Sequence, residues 1–163
     1  MAKEDIGEIK FRKMRHCIGL LGLALPFVIR WQVYVVGNCD CLQDSISHYF
    51  YTVAAPSFIG ILSALGLVLI FYPTPSLEDT QIPTCKWGVC KILKPNLDGP
   101  LTTIAGFCAL IVVLFPTNSN SSESCAVYFY TDSKLRAGLH YTAAATMLLI
   151  FFIHEYLYVH QNK

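Results

Sequence analysis

Four apolar stretches set what this chain can fold into. They run at roughly 17–36, 49–72, 101–116 and 135–159. A helix needs about 20 residues to cross a hydrocarbon layer about 30 Å thick, and three of the four supply them. The third is short, so it must start near Gly99-Pro100 and stand close to upright, or continue a turn past Pro116. None shows the apolar/polar alternation of barrel strands. The expected fold class is therefore all-α, an integral membrane four-helix bundle built as one domain over residues 1–163. Apolar side chains make up 54% of the sequence and charged ones 14%, a balance that an ordinary soluble domain does not have. The net charge of +1 and the lack of a basic stripe exclude nucleic acid as a partner and leave the lipid bilayer as the implied surroundings.

Lysine and arginine orient the bundle. Lys3, Lys10, Arg12, Lys13 and Arg15 precede the first stretch, Lys86, Lys91 and Lys94 lie in the 73–99 connection, and Lys163 follows the last. The other side holds Arg30, Lys134 and Arg136. Positive residues stay inside, which places both termini and the 73–99 loop in the cytoplasm and the 37–48 and 117–134 loops outside, a multi-pass topology. The first stretch is not read as a cleaved signal. Asp5 and Glu8 sit in what would be its basic region, and Arg30-Trp31 stands where small residues are needed.

This topology divides the seven cysteines. Cys39, Cys41 and Cys125 fall on the outer, oxidising side, where one bridge from the 39/41 pair to Cys125 and three thiols are both open readings. Cys85 and Cys90 supply too few ligands for a closed zinc site. Cys17 and Cys108 are expected to be buried packing residues. Asn120-Ser121-Ser122 is a glycosylation acceptor if the source is eukaryotic.

Small residues recur four apart at Gly60 and Ala64, Ala105 and Ala109, and Gly138 and Thr142, faces on which membrane helices approach closely. Pro26 and Pro56 are expected to kink the first two helices. Tyr and Trp residues at both ends form an interfacial belt.

Polar side chains in or beside the bilayer are the functional candidates. The outer set is Arg30, Asp44, Ser45, Ser47, His48, Thr52, Thr117, His140 and Thr142; the inner set is His16, Asp98, Thr102, His154, Glu155 and His160. His140 and His154 lie fourteen residues apart on one helix, about 21 Å along its axis, too far to share a metal. A catalytic reading of the outer set takes Asp44, His48 and His140 as ligands of a zinc-like ion, with Ser45, Ser47 and Thr117 as the surrounding polar cluster. A structural reading makes Ser45 a helix N-cap and leaves the histidines in the headgroup zone. No phosphate loop, nucleophile elbow or HExxH spacing is present, and no covalent cofactor is indicated.

The segments RHCIGLLGLALPFV (15–28), SISHYFYT (45–52), FIGILSALGLVLIFY (58–72), AGFCALIVVLFPT (105–117) and LHYTAAATMLLIFF (139–152) together resemble a group of small bacterial four-helix membrane proteins of uncharacterised function. The shared marks are an SxSxYYYT-like opening of the second helix, an ALFPT-like end of the third and a histidine opening the fourth. The resemblance implies that Ser45, Ser47, Tyr49, Tyr51, Thr52, Thr117 and His140 are the matching polar positions. The acidic residue that tends to follow the tyrosines in that group is replaced here by VAAPSF. A fainter similarity is to alkaline ceramidase-type membrane hydrolases, which use Ser, Asp and His from membrane helices.

Two classes of function follow. One is a non-catalytic structural or accessory membrane subunit, packing against other membrane subunits or a second copy through its small-residue faces. The other is a membrane-embedded metal-dependent hydrolase or lipid-binding protein using the outer polar cluster. A channel is a poorer fit, since no acid or base lies near the midplane of the expected spans.

Overall fold

The structure is a computed structural model that describes residues 2–71, 98–119 and 125–161. Among the described residues the chain is all-helical, with no strand. Helix α1 covers Ala2–Val35, a short 3-10 helix covers Ile46–Tyr51, and α2, α3 and α4 cover Ala55–Phe71, Asp98–Leu114 and Lys134–Gln161. The expected cytoplasmic loop with Cys85 and Cys90, and the acceptor Asn120-Ser121-Ser122, lie outside the described residues.

Two helices, His16–Val35 within α1 and Lys134–His154 within α4, are long and apolar enough to cross a membrane. Helices α2 and α3 are 17 residues each, about 25 Å of helix; a short span is the expectation for α3, whereas α2 is expected to match the longer two. The second stretch is shorter than expected because it is broken. The Thr52 hydroxyl donates to the Tyr49 carbonyl at 2.8 Å and accepts the Ala54 N–H at 3.2 Å, and α2 starts only at Ala55, next to Pro56. Pro56 therefore sits in a first turn, where its missing N–H costs nothing, and is not the expected kink. Pro26 lies inside α1, which continues through it as one helix.

Helix α3 lies between α2 and α4, and α1 leans on α2. The core is concentrated at one end, where Ile29 and Val33 of α1, Tyr51 of the 3-10 helix, Phe58 of α2 and Val112 of α3 are buried together with Ala143 of α4. A smaller cluster of Leu69, Ala105 and Ile150 lies toward the other end. Outward faces are apolar: Leu20, Leu23, Phe27 and Trp31 on α1 and Leu148, Leu149 and Phe152 on α4 are all exposed. Apolar surface on that scale calls for a non-aqueous or protein neighbour.

The tightest helix contact uses glycines that the four-residue pattern did not single out. A Cβ on Gly106 would lie 2.6 Å from the Gly66 carbonyl oxygen, and one on Gly66 would lie 3.0 Å from that of Gly106. Ala105 and Ala109 are buried as expected, whereas Gly60, Ala64, Gly138 and Thr142 face outward. Cys108 is buried, but Cys17 is exposed on α1.

Gly106→Ala pushes backbone against backbone and is expected to cost about 1–3 kcal/mol. Gly60→Ala, with open space around it, is expected to be neutral or stabilising by less than about 1 kcal/mol. Thermal unfolding of both variants in detergent checks the pair, and equal effects would place the α2/α3 contact elsewhere.

Candidate functional site at the end of helix α3

Helix α3 stops at Leu114 because Pro116 follows, and a proline neither donates a backbone hydrogen bond nor lets the residue before it stay helical. The last carbonyls of a helix are left without partners inside it. Just beyond that end, three successive carbonyls, from Phe115, Pro116 and Thr117, are taken by side chains from two other elements. His140 Nδ1 donates to the Phe115 carbonyl at 2.9 Å, Arg136 Nε donates to that of Pro116 at 3.1 Å, and the Tyr51 hydroxyl donates to that of Thr117. Arg136 and His140 are one turn apart on α4 and so face the same way.

This arrangement fixes the imidazole. A carbonyl can only accept, so Nδ1 carries the proton, and in the neutral ring Nε2 accepts from the Ser47 hydroxyl at 2.8 Å. His140 is 2% exposed, and Tyr51 and Thr117 are equally enclosed. The network continues outward through Thr117 Oγ1 and the Tyr141 hydroxyl, 2.8 Å apart. The segment leading into α4 packs against it at Val127, Tyr128 and Tyr130. The N–H groups of Val127 and Tyr128 both donate to the Tyr51 carbonyl, at 2.7 and 3.1 Å. The Arg136 guanidinium stands 5.7 Å from the centre of the Tyr130 ring, which packs in turn on Phe50 and Tyr51.

The polar positions expected to act together are divided between two sides of the 3-10 helix. Ser47, Thr117 and His140 meet in the buried network. Ser45 and His48, three residues apart and so on one side of a helix with three residues per turn, pair with each other instead, Ser45 Oγ lying 3.2 Å from His48 Nδ1. Ser45 precedes the 3-10 helix but makes no capping bond through its side chain. Asp44 and Ser45 border an open cavity of about 420 Å³ against α1, where Pro26, Ile29 and Arg30 form the other wall. Arg30 is engaged at that wall, holding the Asp40 carboxylate at 2.8 Å.

Asp44, His48 and His140 are not gathered as a ligand set. Among the described residues, the group of His, Cys, Asp and Glu close enough to share an ion is Cys39, Cys41 and Cys125. Both ring nitrogens of His140 are already committed, to a carbonyl and a hydroxyl. Thr142 stays out of the network because its hydroxyl turns back on the carbonyls of Gly138 and Leu139. Of the inner set, Thr102 likewise donates to the Gly99 carbonyl, His16 is exposed and His154 half-buried. The side chains of Asp98, Glu155 and His160 lie outside the described set.

Arg136 and Tyr141 are the network members that sequence reasoning missed. The signal was available: a Pro ending an apolar helix leaves acceptors in need of donors, and Arg136-x-x-x-His140 offers two at one-turn spacing. Comparison with protein-family models, with curated proteins and with solved structures returns no match.

His140→Ala removes a donor and an acceptor from a buried site and is expected to destabilise by about 2–4 kcal/mol, since each orphaned group costs about 1–3. His140→Asn, whose amide reaches where Nδ1 stood, is expected to recover part of that loss. Tyr51→Phe is expected to cost about 1–2 kcal/mol. Unfolding midpoints of the three variants in detergent check the order.

Proposed function

We propose that this protein is a multi-pass integral membrane protein acting as a non-catalytic structural or accessory subunit, with the polar network at its outer end serving as a latch. In this reading all four α helices lie in the bilayer, with both termini cytoplasmic and the 3-10 helix at the outer interface. The observation that carries it is the pairing of the carbonyls and of the Ser47 and His140 side chains within the network, which leaves Arg136 Nη2 buried without a hydrogen-bond partner. Each of the three carbonyls that follow α3 has a side-chain donor, and the Ser47 hydroxyl donates to His140. Groups spent on one another hold helices in register in a medium that offers no water to replace a lost bond. The apolar outer faces of α1 and α4 and the outward-facing Gly60/Ala64 and Gly138/Thr142 pairs supply surface for lipid, for other membrane subunits or for a second copy.

One observation favours a second reading, a membrane-embedded hydrolase. Ser47 Oγ is 2.8 Å from Nε2 of an imidazole whose other nitrogen is oriented by an acceptor, the relation that activates a serine nucleophile. The metal-dependent form of this reading needs His140 to release one of its two partners to bind an ion with Asp44 and His48. The cavity beside Arg30, Asp44 and Ser45 is the place for a lipid in the corresponding binding reading.

Metal content by mass spectrometry, on detergent-purified protein beside His48→Ala and His140→Ala, separates these. The latch reading expects no ion above background in any of the three, and no labelling of Ser47 by a fluorophosphonate. About one ion per chain, lost in both variants, or Ser47 labelling that His140→Asn abolishes, overturns it in favour of the enzyme.

In intact cells expressing the protein, a membrane-impermeant maleimide is expected to reach Cys41 from outside. A cysteine introduced by Lys163→Cys is expected to react only after permeabilisation. Labelling of both positions in intact cells would reject the topology.

A further inference from the structure

A second chemical cluster lies on the same end of the molecule, apart from the latch. The sulfurs of Cys39, Cys41 and Cys125 all lie within 4.8 Å of one another. A disulfide joins Cys39 to Cys125 across 86 residues of sequence, with their Cα atoms 6.1 Å apart. Cys41 stands outside that bridge and is exposed, while the bridged pair is half-buried.

The backbone carrying this group is held in place. Arg30 donates to the carbonyls of Cys39 and Asp40, at 3.3 and 3.2 Å, and to the Asp40 carboxylate at 2.8 Å. Asn38 takes a left-handed conformation, φ 47°, where α1 ends, and Gly37 has no room for a side chain because a Cβ would lie 2.6 Å from the Val33 carbonyl. Cys39-Asp40-Cys41 is therefore presented to Cys125 from a fixed turn. The sulfur separations are of the size that rotation about a cysteine χ1 closes.

We propose that Cys39, Cys41 and Cys125 form a thiol–disulfide exchange site in which Cys41 displaces Cys39 from Cys125. Cys41 loses its proton to water, and its thiolate attacks the sulfur of Cys125. The Cys41–Cys125 bond forms as the Cys39–Cys125 bond breaks, the electron pair leaves on the sulfur of Cys39, and that sulfur takes up a proton. Nothing is oxidised or reduced overall. Both forms keep the first outer segment tied to the second, and what changes is the thiol on offer, the exposed Cys41 in one form and the half-buried Cys39 in the other. The same step gives Cys125 two routes back to a bridge after attack by an outside thiol.

Brief pulse labelling of the native full-length protein with light N-ethylmaleimide tests this, followed by denaturation, reduction and heavy labelling. Fragment-ion mass spectrometry separates position 39 from position 41. Exchange predicts light label divided between Cys39 and Cys41, with Cys125 carrying heavy label throughout. Light label confined to Cys41 overturns the proposal, and so does light label on Cys125 at the level of the other two.

A variant provides an independent reading. Cys39→Ser is expected to form the Cys41–Cys125 bridge, seen as a linked peptide without reductant, and two light-labelled thiols at 41 and 125 in that variant would refute the exchange. Cys41→Ser is expected to keep the Cys39–Cys125 bridge and to lose the light label at Cys39.

Discussion

The hydrogen bonds that close the end of α3 hold the rest of the structure in place. Pro116 ends the helix and exposes three acceptors in a row, and an unpaired carbonyl in an apolar surrounding costs more than most packing contacts return. Tyr51, Arg136 and His140 answer that cost, and in doing so they fix where the 3-10 helix and α4 stand relative to α3. The pleat of aromatic rings around Phe50, Tyr51 and Tyr130 fills the space those bonds define. Few of these side chains could change without leaving a buried polar atom alone.

From this constraint the asymmetry of the molecule follows. One end carries the hydrogen-bonded network, the disulfide and the larger part of the core, and the other end is joined by the smaller cluster around Leu69 and Ile150. Midway, α2 and α3 meet backbone to backbone at Gly66 and Gly106, a contact that only residues without a Cβ allow. A single firm end and a close glycine crossing suit a bundle whose outer faces are themselves apolar and must be covered by lipid or by another protein. Where lipid is that cover, directional bonds and close packing would carry the association between helices, since apolar burial gains little there.

The same accounting bears on the serine and the imidazole. A Ser–His contact reads as catalytic when the pair faces a space that a substrate can occupy. The cavity of about 420 Å³ against α1 is bordered by Asp44 and Ser45, and Ser47 and His140 are not among its lining residues. Period three in that short helix is what separates them, sending Ser45 and His48 one way and Ser47 another.

Much was legible in the sequence. The apolar stretches place every α helix to within a few residues at most ends, Asp98-Gly99-Pro100 marks the start of α3, and a bridge from the 39/41 pair to Cys125 is one of two readings that spacing and side allow. Local chemistry determines these features, since apolar length, proline and helix-start residues act within a few positions of themselves. The sequence did not place the break at Thr52, because a threonine hydroxyl that turns back on its own carbonyl competes with an apolar run that would otherwise continue. It also did not assign His140. An imidazole beside an outer loop suits a metal as well as a carbonyl, and only the approach of α4 to the end of α3 supplies the Phe115 acceptor 25 residues away. Tertiary structure likewise chose Cys39 over Cys41 for the bridge and Gly66/Gly106 over Gly60 for the crossing. Each of those choices depends on which backbone arrives opposite, a relation between distant segments that no local spacing contains.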